Sequence, residues 1–433
     1  MNGLKEKITN KKAVVGIIGL GYVGLPLAIE FCKAGYEVIG IDISEHKIKQ
    51  LKSGESYVLD VSGPEVASFA KSGKLLLTSD YSMVKKADTI SIAVPTPLKK
   101  TKDPDISFIV AAIDSCKPYL HKNMLVVLES TTYPGTTKEL IVHEVEKMGM
   151  TVGNDFFVAF SPERVDPRNP HYSTKNTPKV IGGFSANCTE LARMLYESVI
   201  DKVIPVSSTD EAEMVKLLEN TFRAVNIGLV NEMTLMCDRM GIDIWNVIDA
   251  ASTKPFGFMP FYPGPGLGGH CIPLDPIYLS WKAKTFNFYN RFIELASDIN
   301  GNMPRFTINK LSRVLNKYKK PINGSNILML GMTYKSNIND LRESPALELF
   351  EMLKEEGAQV TYHDPYAPEF INDDGEKVYS IALSETALCE ADCVLLATSH
   401  KDFDLPFILK NARLIFDARN GFKDYQSDKI VRL

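Results

Sequence analysis

The sequence contains no uninterrupted apolar run near the ~20 residues a helix needs to cross a bilayer, and no block of like charges that reads as an arm or tail. With 49 basic and 53 acidic residues its net charge is -4, which argues against a nucleic-acid partner and leaves a small molecule as the expected ligand. Its cysteines, at 32, 116, 188, 237, 271, 389 and 393, are odd in number and lack Cys-x-x-Cys spacing. That excludes a zinc site or a disulfide framework, so no metal is expected. Low-complexity segments are absent. Met1 to Lys12 is polar and lysine-rich without an apolar core, so no secretory signal is read there, no membrane partner is expected, and the expected location is cytoplasmic. The 433 residues have room for two or three domains, each with its own core.

What is present begins with Ala13 to Ile18, an apolar run ending in Gly19, Leu20, Gly21, Tyr22, Val23 and Gly24, then a helical pattern from Leu25 to Ala34 that stops at Gly35. A second run, Glu37 to Ile41, ends at Asp42, 18 residues after Gly24. Strand, glycine turn, helix, strand and acid in this order fit a dinucleotide. The glycines let a pyrophosphate lie against backbone amides at the helix start, and the acid binds ribose hydroxyls. A carboxylate at Asp42 repels a 2′-phosphate, so the predicted cofactor is NAD rather than NADP. Lys47 reads either as a phosphate contact or as a solvated helix lysine.

Further strand-like runs, Thr89 to Val94 and Met124 to Leu128, lead into Pro95, Thr96, Pro97 and into Glu129, Ser130, Thr131, Thr132. With helical patterns between them, a parallel doubly wound sheet is expected, and both loops then fall at the cofactor's edge. Plain loop chemistry reads equally well for either. Phe157 to Phe160 precedes Ser161, Pro162, Glu163 and Arg164, where Glu163 is positioned for a water or sugar hydroxyl, or simply for solvent.

Ser208 with Glu211 suggests a capping box. Met214, Leu217, Leu218, Thr221, Val225, Leu229, Met233 and Met236 then recur at helical spacing until Gly241. About thirty residues make a helix of ~45 Å, suited to bridging two domains and to a dimer interface. Lys216 and Asn220 share one face of it. Downstream, Pro263 to Pro276 crowds glycine and proline around Cys271, with His270 adjacent and Asp275 four residues on. Such a setting lets backbone approach a ligand and keeps a thiol accessible, whereas Cys393 sits in an apolar run like an ordinary core cysteine. Local sequence leaves both a reactive and a structural Cys271 open, leaning to the first.

Asn326 to Leu330, Gln359 to Tyr362, Cys393 to Ala397 and Leu414 to Phe416 read as buried strands, with a helix from Ser344 and Pro345 to Gly357. Here Gly331 to Lys335 lacks the dinucleotide glycines, so a different nucleotide is expected. Arg342 and Arg419 read as phosphate contacts or as salt-bridged surface arginines.

Gly19 to Gly24, Ser130 to Pro134, Ser161 to Arg164, Glu211 to Asn220, Gly268 to Asp275 and Asp340 to Ser344, in this order, resemble the UDP-sugar 6-dehydrogenase family over essentially the whole chain. The runs Ser252 to Phe258 and Phe261 to Pro265 look most like its UDP-N-acetylglucosamine branch. Leu274 stands where the UDP-glucose branch carries lysine. The resemblance implies an α/β fold of two Rossmann-like doubly wound domains joined by a central helical domain with the long bridging helix. Expected boundaries are 1–207 for NAD, 208–304 for the centre with the catalytic loop, and 305–433 for UDP. It further implies a homodimer or larger homo-oligomer.

By resemblance, Cys271 carries a thioester between two NAD-dependent oxidations of the sugar C6, and the product feeds surface polysaccharide such as O-antigen or capsule. Lys216 assists deprotonation and stabilises oxyanions, and Asn220 binds the same oxygen. Asp275 with Thr131 positions water, and Glu163 supports substrate and hydrolysis. The remaining implied substrate contacts are Arg164, Val165, Phe258, Phe261, Tyr262, Gly268, Tyr334, Lys335 and Arg419, while Arg342 reaches a neighbour's cofactor. UDP-N-acetylmannosamine, UDP-N-acetylgalactosamine and UDP-glucose stay open as alternative sugars, and two further rival readings stay open as well. A single-step hydroxy-acid dehydrogenase leaves Cys271 without work, and an NAD-responsive binding protein performs no chemistry.

Overall fold

A computed structural model of the chain describes every residue except 59, 100–102, 167–168 and 270. Two compact units emerge, one formed by Met1–Glu219 with Ile277–Phe288 and the other by Asn220–Pro276 with Tyr289–Leu433.

The first unit is built on eight strands: β1 (Val14–Ile18), β2 (Glu37–Ile41), β3 (Leu75–Thr78), β4 (Thr89–Ile92), β5 (Leu125–Leu128), β6 (Phe157–Phe160), β7 (Lys179–Gly183) and β8 (Val203–Val206). Their order is β3-β2-β1-β4-β5-β6-β7-β8. Val15 pairs with Val38 on one side and Thr89 on the other, so β1 lies at the point where the strand order reverses. β4, β5 and β6 are buried at every position, which is why they read as continuous apolar runs rather than alternating ones. The expected all-parallel sheet holds except at one junction, where β6 and β7 run antiparallel. Neither β7 nor β8 stood out in sequence, because Lys179 heads the one and Pro205 interrupts the other.

The helix Gly24–Ala34 packs beneath β1 and β2 and stops at Gly35, which adopts φ 103° and donates its N–H to the Cys32 carbonyl. Phe31, Leu128, Phe157 and Tyr196 are fully enclosed in the core that results, each contributing on the order of 2 kcal/mol by leaving water. The N-terminal segment forms the helix Asn2–Thr9, whose Leu4 and Ile8 join the same core.

The long helix spans Thr209–Met240, 32 residues. Half of the expected capping box is present. Ser208 Oγ accepts the Glu211 N–H at 3.2 Å, but the Glu211 carboxylate turns to Ser207 instead, accepting from its N–H at 2.9 Å and its hydroxyl at 2.6 Å.

The second unit holds five parallel strands in the order β10-β9-β13-β14-β15, namely β9 (Asn326–Leu330), β10 (Gln359–His363), β13 (Cys393–Leu396), β14 (Ile415–Asp417) and β15 (Ile430–Arg432). A hairpin of β11 (Glu369–Ile371) and β12 (Lys377–Tyr379) stands apart. In this unit the long helix is tied to the helix Arg291–Lys317 by Asp238, which pairs with Lys310 and Arg313 at 2.8 Å each. A Cβ on Gly228 would meet Ala296 Cα at 3.1 Å, so glycine permits this approach. Among the described residues no helix is long and apolar enough to cross a membrane.

Candidate active site

In the first unit the predicted cofactor residues gather at the carboxyl ends of β1, β2, β4 and β5. Gly19 has φ 90°, and a Cβ there would lie 2.5 Å from the Ala93 carbonyl oxygen; a Cβ on Gly24 would strike the Gly19 carbonyl. Above Gly21, by contrast, no atom of the described residues beyond its chain neighbours lies within 4 Å of where a Cβ would stand. Tyr22 is half exposed and Val23 precedes the first residue of the helix Gly24–Ala34. Asp42 follows β2 and accepts the Leu20 N–H at 3.0 Å and the Ser44 N–H at 2.9 Å. Lys47, on the helix Glu45–Lys52, folds back to 3.7 Å from Asp42 and over the Tyr57 ring, with its side chain 41% exposed.

Pro95 and Thr96 follow β4, where the Thr96 and Pro97 carbonyls both accept the buried Tyr278 hydroxyl at 2.9 Å. Ser130 fastens this loop by accepting the Val94 N–H at 2.9 Å and donating to its carbonyl at 2.8 Å. Thr132 turns inward onto the Thr136 hydroxyl at 2.6 Å, so its hydroxyl serves the turn. Thr131 instead accepts from Lys216 Nζ at 2.6 Å. Lys216 is 9% exposed, an uncommon state for a lysine outside a functional or paired setting.

Glu163 lies past β6. Its Oε1 accepts the N–H groups of Arg164 at 2.8 Å and Val165 at 2.7 Å, and its Oε2 stands 3.8 Å from Lys179. Arg164 points away, onto Glu219 at 2.6 Å and the Pro178 carbonyl at 2.8 Å. Sequence reasoning missed what lies behind Glu163. Glu129, fully buried, accepts from Lys179 at 2.8 Å and from the Tyr196 hydroxyl. A glutamate next to Ser130 and a lysine heading an apolar run were the only signals.

The second unit holds the other group. Cys271 is the first residue of the helix Cys271–Lys284 and is partly exposed, whereas Cys32, Cys116 and Cys393 are buried and burial pushes each of their thiols to about 12. Asp275, one turn further, accepts from the Asn220 amide at 2.6 Å, with both side chains buried. His270 lies outside the described residues. The glycine stretch is seated on Tyr334: a Cβ on Gly268 or Gly269 would come within 2.6 Å of its side chain. Gly269 also donates its N–H to the Arg342 carbonyl at 3.1 Å. Asn231 receives the Gly264 N–H at 3.2 Å and donates to Asn300 at 2.8 Å, anchoring the start of the stretch to two helices.

Arg419 lies under Gly264 and donates to the Ala397 carbonyl at 3.0 Å. Arg342 makes a two-pronged pair with Asp340, as close as 2.6 Å. Phe261 packs on Phe222, while Tyr262 stacks on Trp245 and donates to Asp249 at 2.8 Å. Phe258 is exposed and Lys335 partly so.

Three successive matches cover this chain: the NAD binding domain of the UDP-glucose/GDP-mannose dehydrogenase family over residues 13–200, its central domain over 210–302 and its UDP binding domain over 328–424. The chain belongs to that family. It is accordingly an NAD-dependent UDP-sugar dehydrogenase. Protein CapL of Staphylococcus aureus is 36% identical over 413 residues, 94% of this chain and 95% of its own. The UDP-N-acetyl-D-glucosamine 6-dehydrogenase of Pseudomonas aeruginosa is 35% identical, covering 91% and 92%. Among solved structures, the UDP-D-ManNAc dehydrogenase of Pyrococcus horikoshii superposes with a TM-score of 0.88 at 33% identity, covering 97% of this chain and 98% of that one. The open space over Gly21, the close-packed Gly19 and Gly24 and the acid after β2 fit NAD.

Proposed function

We propose that this enzyme is a UDP-N-acetylglucosamine 6-dehydrogenase, converting the C6 alcohol to a carboxylate in two oxidations through a thioester on Cys271. One observation carries the reading. A partly exposed thiol heads a helix whose next turn presents Asp275, itself holding the Asn220 amide at 2.6 Å. A helix start favours the thiolate, and an amide fixed by a carboxylate is oriented to meet an oxyanion.

NAD+, when bound, supplies the hydride acceptor for both oxidations, held in this reading by Gly19 to Gly24, Asp42 and the loops at Pro95 to Thr96 and Thr131. Lys216 takes the C6 hydroxyl proton as the hydride leaves, giving an aldehyde. An aldehyde has no second hydride to give until a nucleophile adds. The Cys271 thiolate supplies it, and the resulting thiohemiacetal oxyanion is met by the Lys216 ammonium and the Asn220 amide. Loss of the second hydride leaves a thioester. Water positioned by Asp275 and Thr131, with Glu163, adds to the acyl carbon and expels the thiolate, releasing the uronate. Tyr334, Lys335 and Arg419 hold the nucleotide, and Phe258, Phe261, Tyr262, Val165 and Gly268 shape the sugar side. Arg342, folded on Asp340 in the single chain, is assigned to a neighbouring subunit's cofactor.

The N-acetylglucosamine assignment rests on the run Ser252 to Pro265 and on Leu274, and the 35% identical Pseudomonas enzyme agrees with it. The mannosamine epimer is the second reading, favoured by the 0.88 TM-score of the Pyrococcus structure. Leu218, Phe222, Leu229 and Met236 are exposed along the long helix, which supports a homodimer through it. The same reading has the enzyme working in the cytoplasm on a precursor of surface polysaccharide.

An NADH assay across UDP-N-acetylglucosamine, UDP-N-acetylmannosamine, UDP-N-acetylgalactosamine and UDP-glucose tests the sugar. The first should give the highest kcat/KM, and another sugar leading by tenfold replaces the assignment. Cys271→Ser should lose steady-state turnover and form no uronate, and a fully active variant overturns the thioester.

A further inference from the structure

We propose that Lys179 is a positioning residue for Glu163, clamping its carboxylate from behind through a buried chain that runs from Tyr196 through Glu129 to Lys179. The inference rests on the reading above, in which Glu163 serves substrate and hydrolysis.

The antiparallel junction creates the arrangement. Ala159 pairs with Gly183 and Phe160 with Gly182, and the same register continued beyond the strands sets residue 163 across from residue 179. Ser161 keeps the two segments together past the last pair, donating to the Val180 carbonyl at 2.8 Å. There they part around a recess lined by Pro162, Glu163, Val165, Thr174, Thr177 and Lys179, among others. Lys179 stands between two carboxylates, 2.8 Å from Glu129 and 3.8 Å from Glu163, and its side chain is 7% exposed. Glu163 retains 14% exposure and is the member that meets solvent.

Lys179 keeps its charge through its neighbours. Burial opposes its charge, but Glu129 and then Glu163 outweigh burial and hold Lys179 above the ordinary lysine value. Burial, with Glu129 beside it, raises the Tyr196 phenol well above its usual range, so it stays a neutral donor to Glu129. Ser91 sits on the far side of Tyr196 at 2.9 Å. Glu163 therefore faces Lys179 on β7, Glu129 after β5, Tyr196 on the helix Ala186–Glu197, and the charge of Lys216, which Lys179 feels as repulsion. Arg164 spends its guanidinium on Glu219 and leaves only its backbone N–H to Glu163. Lys179 is thus the cation that fixes Glu163 beside a second, fully buried carboxylate.

The test compares Lys179→Met, Lys179→Arg and the double variant Glu129→Gln/Lys179→Met with the parent enzyme in kcat, KM and melting temperature. Lys179→Met should lower kcat about tenfold, with KM for the UDP-sugar within about threefold. Acylated Cys271 should accumulate in acid-quenched samples read by mass spectrometry. Lys179→Arg should restore the parent kcat. The double variant, which leaves no orphaned buried charge, should recover the parent's melting temperature yet keep the lowered kcat. A parent-like kcat for Lys179→Met, or a double variant that regains the parent kcat along with its stability, would overturn the proposal and leave Lys179 as a counter-ion for Glu129 alone. Failure of the four-electron reading would show in the parent's NADH yield, whereas failure of this inference shows only in the variants.

Discussion

Both sheets leave their first strand through a glycine with positive φ, Gly19 at 90° and Gly331 at 80°, and in each a side chain at that glycine would press on a carbonyl at the end of the neighbouring strand, Ala93 or Thr398. Both place an aspartate after the second strand to receive backbone N–H groups, Asp42 from Leu20 and Asp364 from Met332 and Thr333. From there they diverge. A helix begins at Gly24 in the first sheet but only at Pro345 in the second. Where the first leaves open space over Gly21, the second seals its aspartate with His400, fully buried, 3.1 Å from Asp364 and packed against the tilted ring of Tyr366 and the edge-on ring of Phe403. The Asn337 N–H points at His400 Nδ1 at 2.9 Å, so the other ring nitrogen carries the proton toward Asp364. One frame thus leaves the amides at a helix start open, as a pyrophosphate requires, and the other plugs that position with a buried histidine.

The sharpest way to break this comparison is to fill the open frame. Gly24→Val should drive a side chain against the Gly19 carbonyl and lower NAD+ affinity at least ~100-fold in isothermal titration, about 2.7 kcal/mol or more. Retained affinity would mean that the first glycine turn does not hold the cofactor. The plugged frame should respond in stability instead. Asp364→Asn orphans His400 and two backbone donors, so urea unfolding should show a loss of about 3 kcal/mol while KM for NAD+ stays at the parent value. An Asp364→Asn enzyme of parent stability with altered NAD+ binding would reverse the two roles.

The buried acids of the two units differ in sign. Burial pushes Glu213 up to about 7 despite the Gly135 and Thr137 donors around it. In Asp364 burial works in the same direction but His400 and the Met332 N–H outweigh it and hold it below the usual aspartate range. Folded Glu213 keeps its proton between about 4.5 and 7 where the unfolded chain has lost it, so it makes stability fall as pH rises through that window. Asp364 contributes stability above the unfolded value, lost as pH falls through its lower folded value. Melting curves of the parent and Glu213→Gln should therefore diverge with pH, the parent losing roughly 2 kcal/mol more between pH 5 and 7. Parallel curves would remove Glu213 from that account. The smallest effect belongs to Asp42→Asn. NAD+ affinity should drop about tenfold and discrimination against NADP+ should narrow, as kcat/KM for the two cofactors would show. Unchanged cofactor preference would deny Asp42 its ribose.

Most of this frame was legible in the order of residues. Glu37 to Ile41, Phe157 to Phe160 and Asn326 to Leu330 are strands with the boundaries their apolar runs suggest, because strands buried on both faces are apolar throughout. The helix stop at Gly35 was equally plain, since its conformation calls for glycine. What stayed hidden depends on contacts distant in sequence. Lys179 lies 50 residues from Glu129, and nothing local says that a lysine heading a strand will be drawn inward by two carboxylates. The antiparallel turn of β7 is likewise set by pairing. Among the site residues, Asn220 and Asp275 stood out by type, but their hydrogen bond joins positions 55 residues apart. The partners of Thr132, Lys47 and Tyr262, namely Thr136, Asp42 and Asp249, were likewise not legible from residue type.

Whether one polypeptide removes two hydrides from a single carbon by way of Cys271, as proposed, is tested most directly by the number of NADH molecules formed per UDP-N-acetylglucosamine consumed, measured at completion with the product identified by mass. Two are expected, with the uronate as product. One NADH with a released aldehyde or keto sugar would contradict the proposal.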